Sequence, residues 1–225
     1  MRRMKTLLRF SSLGLGAVVA ALLVLPACPP AFVGPAHAQA QKTPSPPAKT
    51  PRRGPRALIP DGGAERALLL DELYAHLATA ASEEAAQLTS QAIEHVWLKS
   101  GSETVNLLME RALKAVNEKK SDLALKLLDA VVELAPDYAE GWNRRAYVLY
   151  SRNEYARALG DLRRVLALDP NHFKALDGLA QILRELDYKK EALQVYRRLL
   201  EVHPYMASAK SAVEELSREV EGQGI

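Results

Sequence analysis

Between residues 105 and 206 the apolar positions recur with the period of a helix and not with the alternation of a strand. Leu125, Leu128, Val131 and Val132 fall on one side of a helix, as do Leu159, Leu162, Val165 and Leu166, and then Leu193, Tyr196, Leu199 and Leu200. Each set lies 34 residues beyond the one before. Pro136, Pro170 and Pro204 keep the same interval, and alanine returns at two more places in every period: Ala112, Ala146 and Ala180, then Ala124, Ala158 and Ala192. A fixed period of this length is the mark of a stacked array. Two antiparallel helices approach closely only where side chains are small, so the alanines mark the crossing of a helix pair. Replacing Ala146 or Ala158 by leucine is expected to overpack that crossing by about 1–3 kcal/mol. Each proline lacks an amide hydrogen and displaces its predecessor from the α region, which ends one unit and sets the entry of the next. No unit can bury its stripe alone, so neighbours must stack to complete the core.

The units so defined are residues 105–138, 139–172 and 173–206. The middle one carries Trp142, Ala146, Tyr155, Ala158, Leu162 and Pro170 and closes on Leu168-Asp169-Pro170-Asn171. In these residues the chain resembles the tetratricopeptide repeat (TPR) family. That resemblance implies an all-α, right-handed α-solenoid of antiparallel helix pairs, with Trp142 wedged between the helices of its unit. If Trp142 is so buried, Trp142→Ala costs about 3–5 kcal/mol. The pattern departs at Arg111 and Arg145, which stand where the family prefers an apolar residue, and at Leu149 and Leu183, which replace a tyrosine. Residues 207–225 supply a capping helix and tail, with Ala209, Ala212, Val213 and Leu216 on one side and Glu214, Glu215, Arg218 and Glu219 on the other. Residues 63–104 form a second helical pair, in which Ser82, followed by Glu83 and Glu84, suits a helix start. This pair reads as a degenerate fourth unit at the front of the array, shifted in register by Gly101-Ser102-Glu103-Thr104.

The resemblance also implies a concave groove, lined by the first helix of each unit, that holds a peptide. Carried over onto this chain, the candidate partner-binding residues are Met109 and Leu113, then Asn143, Tyr147 and Tyr150, then Lys174, Asp177, Gln181 and Arg184, with Glu140 at a further groove position. Tyrosine and asparagine combine ring area with hydrogen-bonding tips, a composition favoured at interfaces. The carboxylate clamp of one subfamily is not matched, because Met109, Leu113 and Gly178 occupy its positions. Arg163-Arg164 and Arg197-Arg198, one repeat apart on second helices, make a second candidate surface for an acidic partner.

Composition changes the picture mainly at the front of the chain. Residues 1–62 hold nine lysines and arginines against a single acid, Asp61, and the remainder holds 21 basic and 26 acidic side chains. The repeat region is therefore mildly acidic, which argues against nucleic acid as partner. Arg2, Arg3, Lys5 and Arg9 precede an uncharged apolar run from Phe10 to Leu25, followed by Ala36-His37-Ala38. Residues 1–38 read as a signal peptide, and the protein as exported and periplasmic. Leu25-Pro26-Ala27-Cys28 resembles a lipobox, so three fates stay open: cleavage after Ala38, lipidation of Cys28 as a lipoprotein, or an uncleaved leader. Membrane contact through the leader or Cys28 goes with the last two. Residues 39–62, with six prolines and five basic side chains, read as an extended spacer. Cys28 is the sole cysteine, so no intramolecular disulfide supports the fold.

No Walker loop, Rossmann glycine series, nucleophile elbow or H-E-x-x-H helix occurs. His37, His76, His95, His172 and His203 stand apart in sequence, and adjacent carboxylates such as Glu83-Glu84 point different ways along a helix. No catalysis, metal or cofactor is expected; His172 and His203 read as solvated or capping residues at repeat ends. The expected function is a protein-interaction scaffold in the cell envelope that binds a polypeptide segment in its groove. Its rival is a membrane-tethered assembly component of an envelope complex.

Overall fold

The structure, a computed structural model, describes residues 63–222. The expected leader with Cys28, the spacer 39–62 and the last three residues lie outside the described residues. Within them the chain forms nine helices and no strand: α1 Gly63–Ala78, α2 Glu83–Trp97, α3 Glu103–Asn117, α4 Ser121–Leu134, α5 Ala139–Ser151, α6 Tyr155–Leu168, α7 Phe173–Glu185, α8 Lys189–Val202 and α9 Ala207–Glu221.

From α3 onward, each helix packs on the next in chain order, which is the nested stack that the 34-residue period requires. All six periodic alanines are buried, Ala112, Ala146 and Ala180 on first helices and Ala124, Ala158 and Ala192 on second helices. The apolar stripes of α4, α6 and α8 meet them through Leu128, Val131, Leu162, Val165, Tyr196 and Leu199. Within each pair the turn is made by one residue in the left-handed region: Lys119 (φ 58°), Asn153 (φ 61°) and Asp187 (φ 63°), again 34 apart. The next amide reaches back five residues, from Lys120 to the Ala115 carbonyl at 2.8 Å, Glu154 to Leu149 at 2.9 Å and Tyr188 to Leu183 at 2.8 Å. This Schellman closure satisfies carbonyls that the helix end would otherwise leave open. Asn and Asp tolerate that conformation through their short polar side chains, whereas Lys119 adopts it at a cost.

Between units the approach is tightest at Gly141. A Cβ there would lie 2.7 Å from Val131 Cγ1 and 3.3 Å from the Tyr138 ring, so glycine is what lets α5 settle on α4. Arg145, which departs from the family pattern, lies half-buried against Trp142 and is fully engaged. Its Nε and one terminal nitrogen donate to Asp161 at 2.7 Å each, and its other terminal nitrogen donates to Asp129 at 2.9 Å. An apolar contact has been exchanged for a bidentate ion pair that crosses from α5 to α6 and α4.

Trp142 differs from expectation. It is only half-buried, its Nε1 donates to the Pro136 carbonyl at 3.1 Å, and the Arg145 guanidinium lies 4.8 Å over its ring. It works as a lid over the turn before α5 and not as a wedge in the core, so its truncation costs less than the full 3–5 kcal/mol expected for a buried tryptophan.

The capping helix is as read: Ala209, Ala212 and Leu216 of α9 are buried against α8. The α1–α2 pair also forms, with the Ser82 hydroxyl accepting the Ala85 amide at 3.2 Å. Its placement corrects the reading of a fourth unit. α2 does not stack on α3; α1 packs back on α8, and the pair lies across the turns that join successive units. Tyr138, before α5, donates to the Trp97 carbonyl at 2.8 Å. At the α6–α7 turn, Tyr74 and the Trp97 indole both donate to Asp169, at 2.6 and 3.3 Å, and Trp97 stacks on His172 at 3.7 Å with the rings 2° from parallel. At the α8–α9 turn, Ser90 meets His203 at 3.0 Å. Tyr74, Leu77, Ile93 and Trp97 therefore share one core with Phe173, Leu199, Val202 and Leu216 of the far end of the array.

Candidate functional site: the concave groove

First helices α5 and α7, with the start of α9, line an open cavity of roughly 340 Å³ whose floor is Ala146, Leu162, Gly178 and Ile182. Small residues at Ala146 and Gly178 leave the depth. Tyr147 and Tyr150 stand on the α5 wall; Lys174, Asp177 and Gln181 stand on the α7 wall; Met206 and Ser208 close the third side. A second cavity of about 300 Å³ continues past Asp177, Gln181 and Tyr150 to Arg184, Glu185 and Tyr196.

Seven of the nine candidate residues thus belong to one groove. Their roles differ. Tyr147 is 59% exposed, the most open aromatic of the groove, and Tyr150 packs against Tyr155 with ring centroids 5.8 Å apart. Asn143 lines the cavity but is only 8% exposed, because its amide donates to Glu140 Oε2 at 2.8 Å. Lys174 is paired with Glu94 of α2 at 2.7 Å, which ties the groove's rim to the N-terminal pair. Arg184 pairs with Glu215 of α9 at 3.4 Å. Asp177 accepts from Gln181 at 2.7 Å through one oxygen, and its other oxygen, Oδ1, is enclosed without a hydrogen-bond partner in the chain. Burial pushes its carboxyl above the ordinary range, with the Gln181 bond pulling the other way. On α8, the Tyr196 phenol is pushed up to about 12 by burial and by the nearby Asp177 charge.

Three residues fall elsewhere. Met109 is buried in the core of the first unit, and Leu113 packs half-buried against that core outside the cavity. Glu140 lies beneath the groove and not in it. Its carboxylate takes hydrogen bonds from Arg144 Nε, from Asn143, and from His172 Nε2 at 3.2 Å. Since His172 Nδ1 accepts the Ala175 amide as the cap of α7, its ring proton sits on Nε2 and is donated to Glu140. Burial alone would raise the Glu140 carboxyl, but the His172 bond, the Arg144 charge and the Asn143 bond together hold it below the usual carboxylate range. His172 is a cap, as one of its expected roles, but a wholly buried one.

Sequence reasoning missed Met206 and Ser208, because α9 reads as a cap and the groove pattern carried over stopped at the third unit. Among the paired arginines, Arg164 donates to the Pro136 carbonyl at 3.1 Å, and Arg198 to Asn171 at 2.8 Å. Each ties a second helix to the turn that opens its own unit. Among the described residues no group of His, Cys, Asp or Glu is placed to hold a metal ion, and no helix is long and apolar enough to cross a membrane.

Helix pairs in a nested array, with an open groove along their first helices, define a repeat scaffold. Two segments match family models described as tetratricopeptide repeat, residues 139–172 and 173–205. A TPR repeat-containing protein of Rhizobium etli is 37% identical over 153 residues, which covers 68% of this chain and 75% of that protein. The chain belongs to the tetratricopeptide repeat proteins. A DnaJ protein of rice, P58IPK homolog A, is 34% identical over 98 residues, covering 43% of this chain and 21% of its own length. Among solved structures, the first TPR of Spaghetti (RPAP3) bound to the HSP90 peptide SRMEEVD superposes with a TM-score of 0.51 at 22% identity, over 53% of this chain and 98% of that one. The Arabidopsis OM64 TPR domain gives 0.50 at 22%, over 52% and 98%. At that identity the likeness is one of fold.

Proposed function

We propose that this protein is an interaction scaffold that holds an extended segment of a partner polypeptide between α5, α7 and α9. The observation that carries the reading is the exposed Tyr147 beside the half-buried Tyr150, set on α5 above a floor of small residues and across from polar groups of the opposite wall. Exposed aromatic area with hydrogen-bonding tips in a preformed concavity is what a peptide-binding surface needs, since little ordering cost falls on the receptor. That a similarly folded domain is bound to a peptide supports a peptide as the class of occupant. Crosslinking pull-down with the wild type and with a Tyr147→Ala, Tyr150→Ala variant tests it: the partner should be lost from the variant, and equal recovery would remove the groove from consideration.

Export to the cell envelope is part of the same proposal and is supported by the basic start, apolar run and Ala36-His37-Ala38 of the leader. The second reading, a membrane-tethered assembly component, is favoured by one feature, Leu25-Pro26-Ala27-Cys28. Intact mass of the protein from its native cell separates the two, because cleavage after Ala38, a lipid on Cys28 and a retained leader give three different masses.

A further inference from the structure

The charges of the groove are unequally matched. Each cation on its walls already has an anionic partner within the chain: Lys174 has Glu94, Arg144 has Glu140 and Arg184 has Glu215. Asp177 has none. It lines both cavities at their junction, its only polar contact is the Gln181 amide, and its Oδ1 is enclosed without a partner. A carboxylate held in that way, half-buried at the cavity wall and without a counter-ion, imposes a negative potential on the space in front of it, strengthened by the low-dielectric walls. Tyr147 and Tyr150 add ring faces, which are themselves negative and attract cations.

Resting on the groove reading above, the geometry points to a basic occupant: the segment that binds here presents a lysine or arginine to Asp177, flanked by the two tyrosines. Such a contact gives the Asp177 charge its missing partner. An acidic terminus is disfavoured twice over, because the groove's cations are taken and its free charge has the wrong sign. The selectivity is therefore opposite to that of a groove that grips a carboxylate.

A synthetic array of short peptides of graded net charge, probed with the full chain, tests this. The wild type should retain lysine- and arginine-bearing peptides preferentially, and raising the salt concentration should weaken that retention. Asp177→Asn, of the same shape, should reduce retention of basic peptides by about tenfold, the scale of one charge-assisted hydrogen bond, and abolish the charge bias, while Asp177→Glu keeps the bias. Tyr147→Ala with Tyr150→Ala should lower retention of every class. Enrichment of acidic peptides, or a basic bias that survives Asp177→Asn, overturns the inference while leaving the groove in place. Retention that ignores the tyrosine substitutions, or no retention at all, overturns the groove reading and this inference with it. The salt series on the unaltered chain gives an answer even where a variant folds poorly.

Discussion

Glu140 of α5 is wholly buried and Asp177 of α7 half-buried, and the two carboxyls are displaced in opposite directions. Glu140 is held below the ordinary range, so its unfolded form binds the proton more readily than its folded form. The stability it contributes is present above the unfolded value and is lost as pH falls through the folded one. Asp177 is raised, so its folded form keeps the proton longer, and ionising it costs stability as pH climbs from the ordinary carboxylate range through its raised value. Asp177→Asn should therefore flatten the loss of melting temperature in that window, and Glu140→Gln should flatten the acid limb below it while lowering stability at neutral pH. Melting curves from about pH 3 to 7 read both; a steeper acid limb in the Glu140 variant would reverse the sign argued here. Gly141 belongs to the same scale. Because an added methyl would meet Val131 at 2.7 Å, Gly141→Ala should cost about 1–3 kcal/mol, measurable by urea denaturation, although alanine ordinarily favours a helix.

Elements were legible wherever their cause is local. The periodic alanines, the prolines and the Ser82 cap announce helices α2 to α9 because the neighbours that shape each helix lie within one period of it. The left-handed turns were not read, although their positions are periodic, since Lys119, Asn153 and Asp187 share no residue type. They make a test: Lys119→Gly relieves a strained conformation and should raise stability by roughly 0.5–1 kcal/mol, whereas Asn153→Gly should change it little. Trp142 shows the opposite error. A family pattern assigned it to the core, but the glycine before it already fills the close contact with α4, and the tryptophan is left to cover the turn.

At the scale of the molecule, the pair α1–α2 was legible as helices and not as to its place. What places it is contacts such as Tyr74 with Asp169 and Ser90 with His203, 95 and 113 residues apart, which no local pattern encodes. A signal was nevertheless present in the first unit. Arg111 and Lys114 are exposed on α3, while Val148 and Ile182, a period or two beyond Lys114, are buried against a preceding helix. Leu107 likewise fills the place where Gly141 and Ala175 admit a close neighbour. A front face so built expects water, which already argued against another unit in front. Of the groove, seven of nine residues were legible because position in the repeat dictates direction; the third wall was not, since it comes from beyond the last repeat. Trp97→Ala should release the pair, costing about 3–5 kcal/mol and raising amide exchange in α1 and α2 before the array itself opens. Uniform exchange over all helices in that variant would show that the pair and the array open as one.

A belt drawn across three successive turns has a mechanical result. Solenoids flex by small changes of pitch from unit to unit, and that freedom is removed when the same hairpin is fastened at Tyr138, at Asp169 with His172, and at His203. The span from α5 to α9 then behaves as a caliper set at one opening: under the proposed function, a segment of the right girth enters without bending its host, and a thicker one meets walls that do not spread.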